Sequence, residues 1–379
     1  MKSFKFEKRD CDCCGSRNIE ELSSYSVKTR TLSEIYLWKV RNVICRSCGF
    51  AFVSPVPGND MLKQYYGDSF ELSQVNYSIE KRISLIRKYM EGRNSSFLEI
   101  GGNNSSAFLK ELSKYFRKIC TMEINQSCTS VFRNAGDVPA SSIDMASAYF
   151  VLEHITRPKD FLLSYRKILK DGGILIVEIP NLYIYPQNPA GIFQCEHVNH
   201  FSPVTLCRMA ASCGYEMLEV GQNGCSRAFG FVAVLRKAAI RKSSKPDPVE
   251  YMFGKACMLE GYESVIRLEK NMISARKSIL SMSKKGRPVI IWGANWICLR
   301  LLNNFRIPDN AVVIDRDLKK KDYFSGISVR LPEDAISQIR KSSFFIINTR
   351  YYADEIVSWI AKHAKRKLQK SEYCVLDYY

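Results

Sequence analysis

Two pairs of closely spaced cysteines near the amino terminus constrain the fold of this chain most strongly. In each pair two residues separate the cysteines and glycine follows the second one; thirty residues lie between the pairs, which are Cys11 with Cys14 and Cys45 with Cys48. Four thiolates on two tight turns are the ligand set of a tetrahedral structural zinc site. Glycine suits such turns because it lets backbone amides approach sulfur without a Cβ clash. We therefore predict that these four cysteines hold zinc.

The predicted zinc site is structural rather than catalytic. Four thiolates leave no coordination position open for water. The metal supplies folding free energy, so a module of about residues 1–75 can fold around a small core. Cys13 lies inside the first pair and can substitute for a neighbour, which leaves the ligand assignment there open. Four reduced cysteines without metal and a DNA-binding zinc ribbon are the alternatives, although this segment has no concentrated stripe of lysine and arginine.

Composition excludes several classes of protein. The chain has 379 residues, 46% hydrophobic and 25% charged, a normal balance for a globular protein of two or three domains. The sequence has no apolar run long enough to span a bilayer, and its polar amino terminus argues against a signal peptide. We therefore expect no membrane partner. We also expect a reducing, cytoplasmic location, where clustered cysteines hold metal rather than form disulfides.

The net charge of +18 is concentrated in the last part of the chain. From Arg236 onward the sequence has 28 lysines and arginines against 15 aspartates and glutamates. Such a surplus predicts an anionic partner, such as nucleotide phosphates, nucleic acid or an acidic surface. A basic face without any partner is the alternative.

The middle of the chain has the pattern of a parallel α/β sheet. From Arg82 onward, apolar extended runs alternate with helical patterns, and SSFLEIGGNNSSAFLKEL predicts a strand, a glycine turn and an amphipathic helix. The run lacks the GxGxxG spacing typical of dinucleotide sites, but a nucleoside ligand needs only close backbone approach at a glycine and an open helix end. Glu123 ends the next strand, 24 residues after Glu99, where a carboxylate can accept both hydroxyls of a ribose.

The later motifs of this segment, VLEH, then DGG, then EIPNL, closely resemble those of class I S-adenosylmethionine-dependent methyltransferases. The resemblance implies the fold of that family and S-adenosylmethionine as cofactor. It assigns cofactor binding to six residues: Glu99, Gly101, Asn103, Glu123, Ala148 and Tyr149. It gives Glu153 and His154 of VLEH a structural role in the wall of the cofactor pocket. Two features depart from the family pattern: Ser105 replaces a glycine, and the segment from Glu123 to Asp144 leaves little room for a third strand.

Two of the four histidines lie close together in FQCEHVNHFSPVTL. With a zinc module before it and a further glycine-turn domain after it, this EH motif resembles that of sugar C-methyltransferases, which methylate carbon of nucleotide-linked 4-keto-6-deoxy sugars. The resemblance covers nearly the whole chain and includes CRSCGFAFVSPVP. It implies a nucleotide-linked sugar as substrate, His197 as base with Glu196 beside it, and Asn181 and His200 as substrate-binding residues. Gln194 departs from the family's tyrosine, and His200 departs from its usual aromatic residue.

Methylation of carbon requires a base. A carbon beside a carbonyl becomes nucleophilic only when a proton is removed to give an enolate. Histidine titrates near neutral pH and can take this proton, while Glu196 orients the imidazole or stabilises its charged form. The enolate then displaces the methyl group of the sulfonium in line. We predict that His197 is this base.

The last part of the chain predicts a second α/β domain. A helical stretch from Tyr251 to Met282 precedes KKGRPVIIWGANW, a strand, glycine and helix unit, and the next strand ends in Asp315. The pattern resembles the carboxyl-terminal Rossmann-like domain of the same family. A single glycine turn is weak support for a nucleotide site. The basic surplus favours a role in holding the substrate's diphosphate, with Arg316 and Arg350 as candidates.

The predicted fold class is therefore α/β: a zinc-binding module in 1–75, a class I methyltransferase Rossmann-like domain in 76–245, and a helical linker with a second Rossmann-like domain in 246–379. C-methylation of a nucleotide-linked keto-deoxy sugar is the favoured function. O- or N-methylation of another sugar or small metabolite, and a non-catalytic partner with this fold, stay open. Nucleic-acid binding is disfavoured because no arginine-rich stripe is interleaved with aromatic residues. The sequence leaves the oligomeric state open.

Overall fold

The structure is a computed structural model. It describes residues 2–3, 6–30, 35–58, 62, 64–66, 78–90, 95–102, 107–123, 130–189, 195–222, 230–241, 246–283, 286, 288–295, 297–298, 301–302, 311–317, 328–342, 344–349 and 352–376. The chain divides into two compact units, Met1–Tyr262 and Glu263–Tyr379.

The regular elements alternate along most of the chain. The strands are β1 Lys2–Ser3, β2 Phe6–Glu7, β3 Ile19–Arg30, β4 Ile35–Cys45, β5 Ala51–Val53, β6 Val56–Pro57, β7 Ser96–Ile100, β8 Lys118–Met122, β9 Ile143–Tyr149, β10 Leu169–Pro180, β11 Asn199–His200, β12 Tyr215–Gln222, β13 Gly230–Lys237, β14 Val289–Trp292, β15 Ala311–Ile314, β16 Val329–Arg330, β17 Phe344–Ile347 and β18 Tyr373–Val375. The α-helices are α1 Ile79–Lys88, α2 Ala107–Leu112, α3 Pro158–Ile168, α4 Pro203–Ser212, α5 Pro248–Ser283, α6 Ile336–Lys341 and α7 Ala353–Ala364. Among the described residues, each helix is too short or too polar to cross a lipid bilayer.

The amino-terminal sheet is built on the long antiparallel pair of β3 and β4. β5 adds antiparallel to β4, and β1 adds parallel to it. Tyr36, Trp38 and Val40 alternate along β4 and lie in one buried cluster with Tyr65, because alternate residues of a strand face the same side. β11 completes the sheet by pairing antiparallel with β5, so a segment from much later in the chain forms its last strand.

The middle sheet has the order β12-β13-β10-β9-β7-β8. β7 to β10 pair in parallel, while β12 and β13 are antiparallel. Helices cover both faces, so all five residues of β7 are buried. The chain runs from β7 to β8 on one side and then returns to β9 on the other side. The carboxyl ends of β7 and β9 therefore form the switch point where sheets of this kind bind ligands.

The short segment between β8 and β9 explains why the sheet ends at β8. An isolated β-bridge joins Met122 to Phe132, and the amide of Glu123 donates to the Phe132 carbonyl at 3.2 Å. Among the described residues of this segment, which begin again at Ser130, no strand continues beyond that bridge. This edge agrees with the expectation that the segment from Glu123 to Asp144 has little room for a third strand.

The second unit contains a parallel sheet with the order β16-β15-β14-β17-β18. β14 and β17 are fully buried, and residues of α6 and α7 pack against the sheet in one hydrophobic cluster. Gly293 follows β14 with a φ of +105°, as the strand and glycine pattern predicts. Asp315 follows β15, and its carboxylate accepts the amides of Ala294 (2.8 Å) and Asp317 (2.9 Å), so this acid holds the glycine turn closed.

The beginning of α5 packs against the second cysteine pair. The amide of Asp247 donates to the carbonyl of Ser47 at 3.0 Å. Gly49 has a φ of +77°, and a Cβ built on it would lie 2.5 Å from Cγ and 2.8 Å from the backbone carbon of Glu250. Gly15 follows the first cysteine pair with nearly the same φ, +75°, but nothing lies within 4 Å of a Cβ built there.

These two glycines form a matched pair for a stability test. Gly15→Ala adds only the left-handed backbone penalty, about 1–2 kcal/mol. Gly49→Ala carries the same penalty and also makes the new Cβ overlap with Glu250. Relieving this overlap requires the start of α5 to move, which costs a further ~1–3 kcal/mol of stability. Urea unfolding followed by circular dichroism should therefore give a larger loss for Gly49→Ala. Equal losses in the two variants would show that α5 does not pack on this turn.

Candidate functional site

Polar residues and turns gather at the carboxyl edge of the middle sheet. Gly101 follows β7, Glu123 follows β8, Phe150 follows β9 and Asn181 follows β10. Because these four strands are parallel, their carboxyl ends lie along one edge of the sheet. The sequence-predicted cofactor and substrate residues of this segment thus share an edge.

The glycine turn after β7 has no room for a side chain at Gly101. Gly101 has a φ of +76°, and a Cβ built there would lie 2.8 Å from Cγ2 of Val151. Phe150 also has a positive φ, +57°, which is rare for a bulky residue and typical of functional sites. Its amide donates to the carbonyl of Glu178 at 2.7 Å, which holds this conformation. The turn after β9 therefore abuts the glycine turn after β7.

Glu99 is a buried acid one residue before the end of β7. Its Oε2 is buried and makes no hydrogen bond to any residue that the structure describes. Burial raises its pKa to about 7; Arg82 opposes this shift and Glu123 adds to it. A Cβ on Gly102 would lie 2.4 Å from this carboxylate, so only glycine fits beside it. Asn103, the third residue predicted in this turn, and Ser105 lie outside the described residues.

Charged and aromatic side chains lie together on the same face as Glu99. The Arg82 Cζ from α1 stacks 3.6 Å from the Tyr149 ring centroid, and its Nη2 lies 4.0 Å from Glu178 Oε2. The side chains of Arg82 and Glu178 are 5% and 0% exposed. Ala148, the other cofactor residue predicted on β9, is fully buried in the opposite cluster.

Sequence reasoning missed Arg82. The apolar residues of α1 recur at helical spacing, with Ile79, Ile83 and Ile86 on the packed face. Arg82 occupies a position on that same face, so a charge at an apolar position was the signal available in the sequence. An arginine is kept at such a position when it pairs with an acid or stacks on an aromatic ring.

The EH segment, which consists of Glu196 and His197, lies beside the turn that follows β9. His197 is 4% exposed, and its ring centroid lies 4.8 Å from that of His154 with the rings nearly perpendicular. His154 belongs to a one-turn 3₁₀ helix, Leu152–His154, and its amide donates to the Val151 carbonyl at 3.0 Å. His197 is therefore linked to the glycine turn at Gly101 through His154 and Val151.

Glu196 contacts different groups from those predicted. Its carboxylate accepts a hydrogen bond from the Tyr65 hydroxyl. Its carbonyl oxygen lies 3.1 Å from Nδ1 of His154, which must carry the proton because a carbonyl only accepts. Burial raises the pKa of Glu196, and burial lowers the pKa of His154 to about 4. Thus Glu196 positions His154 through its backbone, and His154 is neutral at physiological pH.

Arg9 and Asn199 hold the EH segment in place. Asn199 Nδ2 donates to the carbonyls of Leu152 (3.0 Å) and Ile155 (2.7 Å), beside His154. The Arg9 guanidinium donates to Asn199 Oδ1 at 2.9 Å and to the Val53 carbonyl at 3.0 Å. Burial lowers the pKa of Arg9 to about 10, so it stays charged. The amino-terminal sheet thereby fixes the position of His197 against the middle sheet.

The structure gives His200 and Asn181 roles in packing. Nδ1 of His200 lies 2.9 Å from the Tyr185 hydroxyl and Nε2 lies 3.0 Å from Asn42 Oδ1, so both ring nitrogens are occupied inside the protein. Oδ1 of Asn181 caps the turn after β10 by accepting from the Tyr183 amide at 3.0 Å. His200 is 1% exposed, so these contacts enclose it, and its substrate-binding role stays a prediction.

Of the remaining predicted positions, one belongs to the second unit and two lie outside the described residues. Arg316 lies in the second unit and forms an exposed ion pair with Glu355 at 3.3 Å. Arg350 and Gln194 lie outside the described residues. The structure therefore brings together the EH segment, the VLEH segment and the glycine turn, and leaves the diphosphate residues as a prediction.

The chain is similar to several solved structures. These include a 1,6-didemethyltoxoflavin-N1-methyltransferase of Burkholderia thailandensis (10% identity, 50% of this chain and 96% of that chain, TM-score 0.39). They also include S-adenosylmethionine-dependent methyltransferases of Archaeoglobus fulgidus (13% identity, 48% and 100%, TM-score 0.35) and Mesorhizobium loti (9% identity, 42% and 100%, TM-score 0.35). No curated protein matches the chain.

The family model described as a methyltransferase domain matches residues 72–220. These residues contain the four parallel strands and the switch point described above. Residues 72–220, called the methyltransferase domain below, therefore match a methyltransferase domain in sequence and contain its α/β sheet. This match and the order of the strands agree with the methyltransferase fold predicted for the middle of the chain.

The residues of the methyltransferase domain fit S-adenosylmethionine. The cofactor carries a sulfonium and an ammonium, and the switch point offers the buried, unsatisfied Oε2 of Glu99 with Glu123 near enough to raise its pKa. Gly101 and Gly102 leave space that any side chain would fill. Glu123 is partly buried at the end of β8, where the predicted ribose contact lies.

The four cysteines of the amino-terminal pairs form one cluster. Their sulfurs lie within 4.8 Å of one another, with Cys11 and Cys48 at 3.5 Å and Cys14 and Cys45 at 3.6 Å. Tetrahedral zinc–thiolate bonds of ~2.3 Å place sulfurs just under 4 Å apart, so the set fits zinc. Hydrogen bonds with the other three thiols lower the pKa of Cys45, whereas those that Cys11 makes with its three neighbours raise its pKa.

Cys13 does not belong to the cysteine cluster. It is fully buried, and its sulfur lies 3.8 Å from the Thr205 carbonyl on α4 of the methyltransferase domain. The neighbouring Asp12 accepts the Lys159 amide at 2.7 Å, on α3 of the same domain. The first cysteine turn therefore docks on the methyltransferase domain, and the alternative that Cys13 is a ligand is not supported by this geometry.

Removal of zinc is expected to loosen the EH segment. Cys45 and Cys48 lie immediately before β5, which pairs with β11. Cys45→Ser should lower the zinc content from about one per chain to near zero. Hydrogen exchange in residues 51–53 and 197–200 should become faster. Cys207→Ser, an exposed cysteine outside the cluster, is the control and should keep full zinc content. Protein that lacks zinc when purified without chelator would refute the zinc site.

The buried His200 should make stability depend on pH. Burial lowers its pKa to about 3 from an ordinary value of 6.5. When the pH falls below 6.5, His200 gains a proton in the unfolded chain but not in the folded protein. Its contribution to the free energy of unfolding is therefore fully present above pH 6.5 and declines as the pH falls toward 3. The slope approaches ~1.4 kcal/mol per pH unit.

The comparison that isolates this contribution uses His200→Gln. Urea unfolding of both proteins between about pH 6.5 and pH 5 should give a slope that is smaller in the variant by most of ~1.4 kcal/mol per pH unit, because the other titrating groups are common to both. Parallel slopes would show that His200 is protonated in the folded protein.

Proposed function

We propose that this protein is an S-adenosylmethionine-dependent methyltransferase that methylates carbon of a nucleotide-linked keto-deoxy sugar, with His197 as base. The observation that carries the proposal is the position of His197, buried at the switch-point edge and linked through His154 and Val151 to the glycine turn at Gly101.

Five residues would hold the cofactor. Glu99 offers a carboxylate for the ammonium group, and Glu123 offers one for the ribose. Gly101 and Gly102 allow close approach of the backbone. Arg82 is the buried guanidinium whose charge acts on Glu99, and it is suited to the carboxylate of the methionyl group. Bound at this edge, the cofactor supplies an electrophilic methyl group on sulfur.

His197 would carry the proton. Its neutral imidazole removes a proton from the carbon beside the substrate ketone, and the electron pair of that C–H bond forms the enolate. The enolate carbon would then be the nucleophile for the methyl group that bound S-adenosylmethionine would supply from its sulfonium. The proton stays on His197 until solvent takes it. His154, which is neutral because burial lowers its pKa, leaves the adjacent space without a competing positive charge.

The sugar substrate is supported by the EH motif and by the charge of the chain. The motif lies just before β11, so His197 lies where the amino-terminal sheet adjoins the methyltransferase domain. The surplus of positive charge after Arg236 is suited to a diphosphate. Zinc, held by the four clustered cysteines, has a structural role in this proposal.

Replacement of His197 by asparagine tests the base. Loss of proton abstraction should lower the rate of methyl transfer to a nucleotide-linked 4-keto-6-deoxy sugar by ~10²–10⁴-fold. Affinity for S-adenosylhomocysteine, measured by calorimetry, should stay unchanged because the side chains at Glu99 and Glu123 are intact. His363→Asn is the control: this histidine stacks on Trp359 in the second unit and should leave the rate unchanged.

The same variant distinguishes carbon from oxygen as the acceptor. With S-adenosylhomocysteine bound and in deuterated water, the wild-type protein should exchange the proton beside the ketone, and His197→Asn should not. A product methylated on oxygen or nitrogen, with no exchange in the wild type, would replace this proposal with O- or N-methylation. Unchanged turnover in His197→Asn would remove His197 from the mechanism.

A further inference from the structure

We propose that Glu153, His154 and His197 form a binding site for one divalent transition-metal ion of the Zn²⁺ class. One ligand atom from each of the three lies within 4.8 Å of the other two. Nε2 of His154 is 3.8 Å from Oε1 of Glu153, and the two histidine rings lie 4.8 Å apart. Among the described residues, this cluster and the four cysteines are the two groups with such spacing.

The ligand set suits a transition metal better than calcium or magnesium. Two imidazoles and one carboxylate bind Zn²⁺ at ~2.0–2.2 Å and leave a further position open, whereas Ca²⁺ and Mg²⁺ prefer oxygen ligands alone. Ligands around a tetrahedral ion lie about 3.4 Å apart. The distance of 3.8 Å between His154 and Glu153 therefore needs only a few tenths of an ångström of contraction.

The contacts around His154 also fit a metal ligand. A metal-bound histidine usually donates its other ring N–H to a backbone carbonyl or a carboxylate. Nδ1 of His154 lies 3.1 Å from the carbonyl oxygen of Glu196 and 3.3 Å from the Tyr66 hydroxyl. A proton on Nδ1 satisfies the carbonyl and leaves Nε2, which lies 3.8 Å from Glu153 Oε1, with its lone pair available. The backbone of the EH segment thus fixes the tautomer that a metal requires.

Burial and access are both suited to an ion. The side chain of Glu153 is 1% exposed, and a buried carboxylate is stabilised by a cation. The side chain of His154 is 23% exposed, which leaves a route from solvent. A bound ion would take the lone pair with which His197 removes a proton. Given the proposed function, metal binding therefore inhibits methyl transfer.

Titration with Co²⁺ tests the site directly. The protein first receives one equivalent of Zn²⁺, which the four thiolates bind in preference, so that the second site stays open. Added Co²⁺ bound to nitrogen and oxygen ligands then gives visible absorption without the intense thiolate-to-cobalt bands. We expect one additional Co²⁺ per chain. Glu153→Gln and His154→Gln should each weaken its affinity at least about tenfold, and His363→Gln should leave it unchanged. Circular dichroism and zinc content identify any variant that fails to fold.

Two outcomes overturn the proposal: no Co²⁺ bound beyond the cysteine cluster, or affinity that is the same in the wild type and in both Glu153→Gln and His154→Gln. The titration needs neither cofactor nor acceptor, so its failure is separate from failure of the proposed function. If Co²⁺ does not bind but His197→Asn abolishes methyl transfer, the base stands and the metal site falls. If Co²⁺ binds and the methylation rate is unchanged by it, inhibition is refuted and His197 is not the base.

Discussion

The antiparallel pairing of Asn199 and His200 with Phe52 and Ala51 is the contact on which the candidate site depends. It makes two residues that follow the EH segment a strand of the amino-terminal sheet, beside β5, which comes soon after the second cysteine pair. Arg9 reinforces the pairing because one guanidinium contacts both β5 and Asn199. The cysteine cluster therefore adjoins not only a small module but also the EH segment, which packs against the methyltransferase domain. The cluster and His197 belong to one compact unit.

The second constraint is the cost of burying charge at the switch point. Glu99 is buried, has a raised pKa and has an oxygen without a hydrogen bond among the described residues, which is unfavourable in the protein alone. Arg82 and Glu178 share the same face under α1. Such an arrangement is retained when a charged ligand compensates it, and a sulfonium cofactor with an ammonium and a carboxylate has the complementary charges. The strained backbone of Phe150 has the same interpretation, since its conformation brings the turn after β9 against Gly101.

Much of this edge was predictable from local patterns. The strand, glycine and acid of β7 and the acid after β8 follow from short motifs, because parallel strands place their carboxyl ends together. The EH motif was recognisable as a constellation, and four histidines in 379 residues make each one informative. The partners of those residues were not predictable. Glu196 was expected to orient His197, yet its carboxylate accepts from Tyr65 and its carbonyl contacts His154. His200 was expected to bind substrate, yet Tyr185 and Asn42 occupy both of its nitrogens.

The sequence by itself determined the residue types, the order of strands and turns, and the cysteine pairs, since these depend on spacing of a few residues along the chain. Only the tertiary structure decided which distant side chains meet: Arg82 with Tyr149 and Glu178, and His154 with His197. The physical reason is the range of the interactions. Turn geometry and strand periodicity act between neighbours in sequence, whereas the pairing of β11 with β5 joins residues almost 150 positions apart, and no local pattern records that contact.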